Sequence, residues 1–176
     1  MNRFLAGVEH RAFLTAKMAT QDAEEALDIV QDAMLALVQH YSERPEAEWG
    51  ALFNSILHSK INDWYRRTQV RSRWRVFFNG RHSAGDEERY TEPEEWVAQT
   101  LFPEPDVQVH SDRLGERLVA LISELPLRQQ QAIVLRAWEG YNIAQTADIM
   151  QCSEGSVKTH FSRAIHSLRE KLGDYR

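Results

Sequence analysis

The chain has 176 residues, with 26 acidic and 21 basic side chains, a net charge of −5, and 43% hydrophobic residues. This composition is sufficient for packed cores, and five prolines and eight glycines are too few for a disordered or fibrous protein. The single cysteine, Cys152, excludes an internal disulfide framework and is typical of a reducing cytoplasm. Neither a run of membrane-spanning length nor the apolar stretch of a signal peptide occurs, so we expect a soluble, cytoplasmic protein.

Sequence motifs of common catalytic and metal sites are missing. The seven histidines are scattered along the chain, and none lies three residues after a glutamate, as the di-iron bundles require. The chain contains neither HExxH, CxxC, GxSxG nor a glycine-rich phosphate loop. We therefore expect no catalytic residues, no metal and no cofactor.

Two amphipathic helices are predicted at the start of the chain. The first covers residues 2–19, and Asp22 is a suitable N-cap for the second, from Ala23 to Tyr41. The predicted buried stripe of the second helix consists of Ala26, Leu27, Val30, Met34, Leu37 and Val38. Glu24, Asp28 and Asp32 form an acidic ridge at four-residue spacing, which fits a solvated face and a face for a basic partner equally well.

A third helix is predicted from Trp49 to about Gln69, after a loop over residues 42–48. Leu52, Phe53, Ile56, Leu57 and Ile61 form its predicted core face. Its polar side carries amides, hydroxyls and histidine and leads into arginines mixed with aromatics: Asn54, Ser55, His58, Ser59, Asn62, Asp63, Trp64, Tyr65, Arg66 and Arg67. Such side chains suit unstacked bases and their phosphates, although an ordinary polar helix face has the same pattern.

The composition changes between residues 76 and 111, where eight acidic residues accompany two arginines among prolines and glycines. We predict an irregular acidic linker here, with one short helical turn near residues 94–101. The predicted fold is all-α, with two small helical domains at residues 1–75 and 112–176. The first domain has a net charge of −3 over residues 1–67 and the second has +1, so charge alone does not favour tight DNA binding.

The second domain contains the pattern of a helix-turn-helix. Asp112 and Leu125-Pro126 precede two predicted helices, and Gly140 ends the second of them. The motif itself spans residues 143–163: Ile143, Ala144, Ala147, Ile149 and Met150 form the inner face of its first helix, and Val157, Phe161, Ile165 and Leu168 that of its second. The N-cap Ser153 opens the second helix, which suits the major groove through Ser153, Glu154, Gly155, Ser156, Lys158, Thr159, His160 and Arg163. The alternative is a helical hairpin that only closes a bundle.

Three stretches of the chain carry a recognisable family pattern. The densest is LPLRQQQAIVLRAWEGYNIAQTADIMQCSEGSVKTHFSRAIHSLREKL, residues 125–172. The others are ALDIVQDAML, residues 26–35, and INDWYRR, residues 61–67. In order and spacing these stretches, which cover most of the sequence outside the linker, resemble the extracytoplasmic-function (ECF) class of RNA polymerase sigma factors. The resemblance implies a promoter-specificity subunit whose partners are core RNA polymerase, promoter DNA and, in much of the class, an anti-sigma factor.

The resemblance also implies roles for individual residues. Asp28, Gln31 and Asp32 match the helix that docks on the polymerase clamp, which supplies a basic partner for the acidic ridge. Asn54, His58, Asn62, Asp63, Arg66 and Arg67 match the part that melts and captures the minus-ten element. The helix from Glu154 to Arg163 matches the reader of the minus-thirty-five element. His160 and Phe161 replace the arginine and leucine that are frequent in the class, so its promoter sequence does not transfer to this chain.

Two other functions fit parts of the sequence. VKTH, residues 157–160, also occurs in the output domains of stand-alone transcription regulators, but the N-terminal half lacks their phosphate-accepting α/β pattern. A protein-interaction module without DNA binding would tolerate the loss of Lys158 and Arg163.

Overall fold

The computed structural model describes the backbone of residues 1–77 and 111–173. Within these ranges, side chains are described for residues 1–69, for Gly115 and for residues 117–173. These ranges contain helices and turns and no strand, which confirms the all-α prediction. The helices are α1 Asn2–Thr20, α2 Ala23–Tyr41, α3 Glu46–Phe77, α4 Ser111–Ser123, α5 Leu127–Ile133, α6 Ile143–Met150 and α7 Glu154–Gly173. None of the described helices is long and apolar enough to cross a membrane.

Helices α1, α2 and α3 pack into one unit, here called the N-lobe. Its core combines the inner faces of all three helices around Phe53, Leu57 and Ile61 of α3. Asp22 caps α2 as predicted, because its Oδ1 accepts hydrogen bonds from the backbone N–H groups of Glu24 at 2.8 Å and Glu25 at 3.2 Å. Helix α3 begins three residues before the predicted start at Trp49 and reaches Phe77, two residues beyond the predicted domain boundary.

The buried stripe predicted for α2 is wrong at two positions. Leu27 and Val38 are 43% and 39% exposed, whereas Ile29 and Ala33 are buried beside Ala26, Val30 and Leu37. The apolar residues of α2 extend most of the way around the helix, so their spacing alone does not identify the face that packs on α1 and α3.

Helices α4 to α7 form the second unit, here called the C-lobe. Between α5 and α6 the chain makes a π-helical turn, Val134–Trp138, closed by the Glu139 N–H donating to the Val134 carbonyl at 2.9 Å. Gly140 follows with φ +74°, in agreement with its predicted role as a helix terminator. The predicted linker, with its short helical turn near residues 94–101, lies almost entirely outside the described residues.

The helix-turn-helix is confirmed as α6 and α7. Asn142 and Gln145 form a reciprocal capping box at the start of α6, which the sequence reading missed. Ala147, Ile149 and Met150 are buried as predicted, but Ala144 is exposed and Thr146 is buried in its place. The Thr146 hydroxyl donates to the Asn142 carbonyl at 2.8 Å, and this bond makes its burial possible.

The two lobes pack directly against each other. Met18 at the end of α1 is 3% exposed and lies in the C-lobe core with Leu118, Ile122 and Ile165. Leu127 of α5 packs in the other direction, against the N-lobe core. Helix α6 lies against α3, so the polar side of α3 becomes part of the contact between the lobes.

Candidate nucleic-acid interface

Helix α7 follows a tight turn and begins with a capped, polar first turn. Gln151 adopts the left-handed conformation, φ 52° and ψ 51°, which turns the chain sharply between α6 and α7. Ser153 then caps α7 as predicted, its Oγ accepting from the Ser156 N–H at 3.1 Å. Val157, Ile165 and Leu168 anchor the opposite side of the helix in the core. The first turns of α7 therefore present a small, polar surface.

The residues predicted to read DNA share this surface but differ in exposure. Ser153, Glu154, Gly155 and Lys158 are exposed, and Ser156, Thr159, His160 and Arg163 are half-buried. Burial lowers the pKa of His160, and the nearby guanidinium groups of Arg128 and Arg163 lower it further. His160 is consequently a neutral ring at pH 7 that can offer both a donor and an acceptor.

Arg128 is a residue of this region that sequence reasoning did not select. Its Nη1 donates to the Met150 carbonyl at the end of α6, at 2.9 Å, and to Gln131 Oε1 at 3.2 Å. It thereby neutralises the negative end of the α6 dipole at the turn. An arginine two residues after Pro126, in the first turn of a helix, was the available signal, but its partner 22 residues away appears only in the fold.

Cys152 fits the small, partly buried role predicted for it. Burial raises the pKa of its thiol, which the charge of Arg128 only partly offsets. The side chain therefore stays protonated at neutral pH. Within the described residues, no group of three or more His, Cys, Asp or Glu side chains could hold a metal ion.

The predicted minus-ten residues of α3 separate into a covered group and an exposed group. Asn54, His58 and Asn62 lie one turn apart on the face that meets the C-lobe. Asn54 is 9% and His58 1% exposed. Arg66 and Arg67 are exposed beyond the contact, where Arg66 pairs with Asp63 and Arg67 Nε donates to the Asp63 carbonyl at 3.3 Å. Asp63 itself is half-buried.

Each covered amide is hydrogen-bonded to the C-lobe. Asn54 Nδ2 donates to the Tyr141 hydroxyl at 3.1 Å, and Gln131 Nε2 donates to Asn62 Oδ1 at 2.9 Å. Burial raises the pKa of Tyr141, so its hydroxyl remains protonated. These amides are therefore occupied by protein partners in this arrangement.

His58 lies between the two amides without a hydrogen bond. Neither ring nitrogen has a partner among the described residues, although both are buried. Burial lowers the pKa of His58 to about 4, and the charge of Arg128 contributes in the same direction. The side chain is consequently neutral, and its desolvated nitrogens oppose the closure of the lobes.

The residues predicted to bind polymerase lie on a different, open face. Asp28, Gln31 and Asp32 are exposed on α2, and Asp32 pairs with Lys60 of α3 at 3.1 Å. Three large apolar side chains share this face: Leu27, Leu35 at 54% exposure, and Val38. Sequence reasoning missed them as surface residues because it placed Leu27 and Val38 in the core. A mixed apolar and acidic strip of this kind is typical of a protein-binding surface.

Comparisons with known proteins agree with this geometry. Residues 115–168 match the family described as Sigma-70, region 4, which covers the C-lobe from α4 to α7. The chain is 27% identical over 167 residues to an RNA polymerase sigma-E factor of Streptomyces avermitilis, covering 90% of this chain and 76% of that protein. It is 26% identical over 164 residues to the ECF RNA polymerase sigma factor SigM of Mycobacterium tuberculosis, covering 90% and 69%. It is 25% identical over 155 residues to the ECF sigma factor SigX of Bacillus subtilis, covering 86% and 73%.

A solved structure shows the same fold. It is that of the sigma factor RpoE in complex with the anti-sigma factor NepR, from Bartonella quintana. The two chains superpose with a TM-score of 0.61 and 21% identity, over 99% of this chain and 98% of the other. The C-lobe therefore carries a sigma-70 region 4 domain, and the similarity along both lobes to ECF sigma factors supports the sigma-70 family, ECF class, for the whole chain.

Proposed function

We propose that this sigma factor docks on core RNA polymerase through α2, reads the minus-thirty-five element with α7 and captures the minus-ten element with α3. It acts in the cytoplasm by binding energy and contributes no catalytic residue. The observation that carries this proposal is the placement of a capped, polar helix start in the lobe that matches region 4, with the polymerase-binding candidates on a separate exposed face.

The α7 surface supports duplex reading. Lys158 and Arg163 lie five residues apart on a helix whose apolar side is held by α5 and α6. A helix presented in this way fits the major groove, where basic side chains meet guanine edges or phosphates. Gly155 lets the backbone approach, since a Cβ added there would meet only Ser153 Oγ, at 3.8 Å.

The α2 surface supports polymerase docking. Asp28 and Gln31 provide polar contacts, while Leu35 and its apolar neighbours provide area that a partner can remove from water. Because Asp32 already pairs with Lys60, we assign Asp28 and Leu35 the larger contributions. The solved relative binds an anti-sigma factor, and we include such a protein among the proposed partners of this chain.

Co-elution with purified core RNA polymerase on gel filtration tests this proposal. We expect a stoichiometric complex for the wild-type chain, and a core affinity about tenfold weaker for Leu35→Ser and for Asp28→Lys, because buried contacts of one interface side chain contribute on the order of 1–2 kcal/mol. Glu9→Lys, an equal charge reversal at an exposed position of α1, is the matched control and should bind normally. Free elution of the wild-type chain would contradict the assignment of polymerase binding.

A further inference from the structure

The face of α3 proposed for minus-ten capture has cations at one end only. Asn54 lies at its first turn and Arg66 twelve residues later, about 18 Å along the helix. Among the described side chains of α3 between them, Lys60 is the only lysine or arginine, and it pairs with Asp32 of α2 at 3.1 Å. A bound strand is positioned through its phosphates and read through its bases. A cation for the phosphates near Asn54 therefore has to come from another helix.

Helix α1 places Arg11 at this end of the face. Arg11 lines a small cavity with Asn54 and Phe53 of α3, so the guanidinium and the amide border the same space. Burial raises the pKa of Tyr141, and the charge of Arg11 acts in the opposite direction. Because the Tyr141 hydroxyl accepts the hydrogen bond of Asn54 at 3.1 Å, the field of Arg11 reaches the group that Asn54 contacts.

The position beside Arg11 already accommodates an anionic oxygen. Glu139 Oε1 lies 3.9 Å from Arg11 Nε and borders the same cavity. This separation is too long for a direct hydrogen bond, and the Arg11 side chain is 46% exposed, so the pair is weak. The planar guanidinium of arginine fits carboxylate and phosphate oxygens with the same geometry. A strand that reaches Arg11 takes the place of the Glu139 carboxylate.

We propose that Arg11 is a further DNA-binding residue, whose guanidinium binds a phosphate of the minus-ten single strand where that strand lies on Asn54. This inference rests on the proposed function of α3. Helices α1 and α3 then hold the strand between them, with Arg11 at one end of the face and Arg66 and Arg67 at the other. Arg11 contributes affinity and register without base preference, because the phosphate is the same at every nucleotide.

Three variants separate the charge of Arg11 from its other properties. Arg11→Gln removes the charge but keeps a polar side chain, and Arg11→Lys keeps the charge. Arg3→Gln is the matched control, because Arg3 is exposed on the same helix and does not border the cavity. Since Arg11 is also exposed, all three proteins should fold and co-elute with core polymerase like the wild-type chain.

The first measurement is the affinity of the reconstituted holoenzyme for a fluorescent promoter bubble, over about 50–200 mM KCl. The bubble is made from a fragment that the wild-type holoenzyme selects from genomic DNA, with its melted segment left unpaired. We expect Arg11→Gln to bind about fivefold more weakly, and the slope of log K against log salt to be smaller by about 0.7, the value for one single-strand phosphate. Arg11→Lys should keep the wild-type slope, and Arg3→Gln both slope and affinity. Wild-type affinity of Arg11→Gln, or weaker binding with an unchanged slope, would overturn the proposal.

The second measurement locates the phosphate. Single uncharged methylphosphonate linkages are placed in turn along each unpaired strand of the bubble. We expect one position at which the linkage weakens binding by the wild-type holoenzyme about fivefold but leaves binding by Arg11→Gln unchanged, because both changes remove the same contact. Arg3→Gln should respond like the wild-type protein at every position. Losses that add to that of Arg11→Gln at every position would refute the contact.

Failure of the proposed function gives a different result. If the wild-type holoenzyme binds the bubble no better than the same fragment fully paired, α3 does not capture the minus-ten element and the role of Arg11 falls with it. If the wild-type holoenzyme prefers the bubble and Arg11→Gln matches it in affinity and slope, α3 keeps its assignment and only the Arg11 contact is refuted.

Discussion

At the scale of single residues, Lys158 and Arg163 are the cations that we expect to matter most for duplex binding. Replacing both with alanine should reduce protection of the minus-thirty-five element in a footprint by more than tenfold, because each removes a charged contact worth about 1–3 kcal/mol. Core binding should be unchanged. Arg169→Ala, farther along α7 and exposed, is the control, and undiminished protection by the double variant would remove α7 from the DNA interface.

His58 makes the contact between the lobes sensitive to pH. Its pKa is about 4 when buried by the lobes and returns toward 6.5 when the face is exposed, so the open state binds a proton at higher pH. The closed state is therefore fully favoured above pH 6.5 and loses stability as the pH falls toward 4. Arg128 of α5 is the charged group that acts on His58, and it lowers the pKa of the ring in addition to burial.

At pH 5.5 we expect the equilibrium constant for closing the lobes to be about tenfold smaller than at pH 7.5, because the exposed His58 ring is mostly protonated at pH 5.5. Energy transfer between dyes on Glu9→Cys and Glu170→Cys, in a Cys152→Ser background, measures the separation of the lobes. The same labelled protein with His58→Leu should show little change over this pH range. A pH response equal in both proteins would assign it to other groups.

At the scale of elements, substitutions at two glycines of the C-lobe distinguish the effect of backbone conformation on stability from the effect of packing. A Cβ at Gly140 or Gly115 would meet nothing within 4 Å, but Gly140 has φ +74° whereas Gly115 lies within α4. Gly140→Ala should destabilise the fold by about 1 kcal/mol through backbone strain. Gly115→Ala should stabilise it by about 0.5–1 kcal/mol. Thermal unfolding followed by circular dichroism measures both, and shifts of the same sign would refute the conformational explanation.

At the scale of the whole molecule, Met18 couples the two lobes because its side chain belongs to the core of the other lobe. We expect calorimetry to show one cooperative transition for the wild-type chain and two for Met18→Glu, since lobes without a shared core unfold independently. Ala6→Glu, which adds the same charge at an exposed position of α1, should retain the single transition. Two transitions in the wild-type chain would show that the contact contributes little coupling.

The sequence by itself determined several helix ends and the resemblance to ECF sigma factors. Asp22 and Ser153 mark helix starts because their side-chain oxygens accept hydrogen bonds from backbone N–H groups. Gly140 marks a helix end because glycine readily adopts a positive φ. The apolar spacing of α7 identified its inner face. The exposure of the acidic ridge, Glu24, Asp28 and Asp32, was also predicted correctly, since charged side chains avoid burial.

Tertiary structure decided which helix faces are covered. Leu27 and Val38 are exposed and Asn54 and His58 are buried, the reverse of what hydrophobicity alone indicates. The physical reason is that burial depends on the partner: Tyr141 and Gln131 come from residues far along the chain and supply hydrogen bonds for the amides of α3. A helical period identifies a face, but only the packing of the two lobes shows what lies against it.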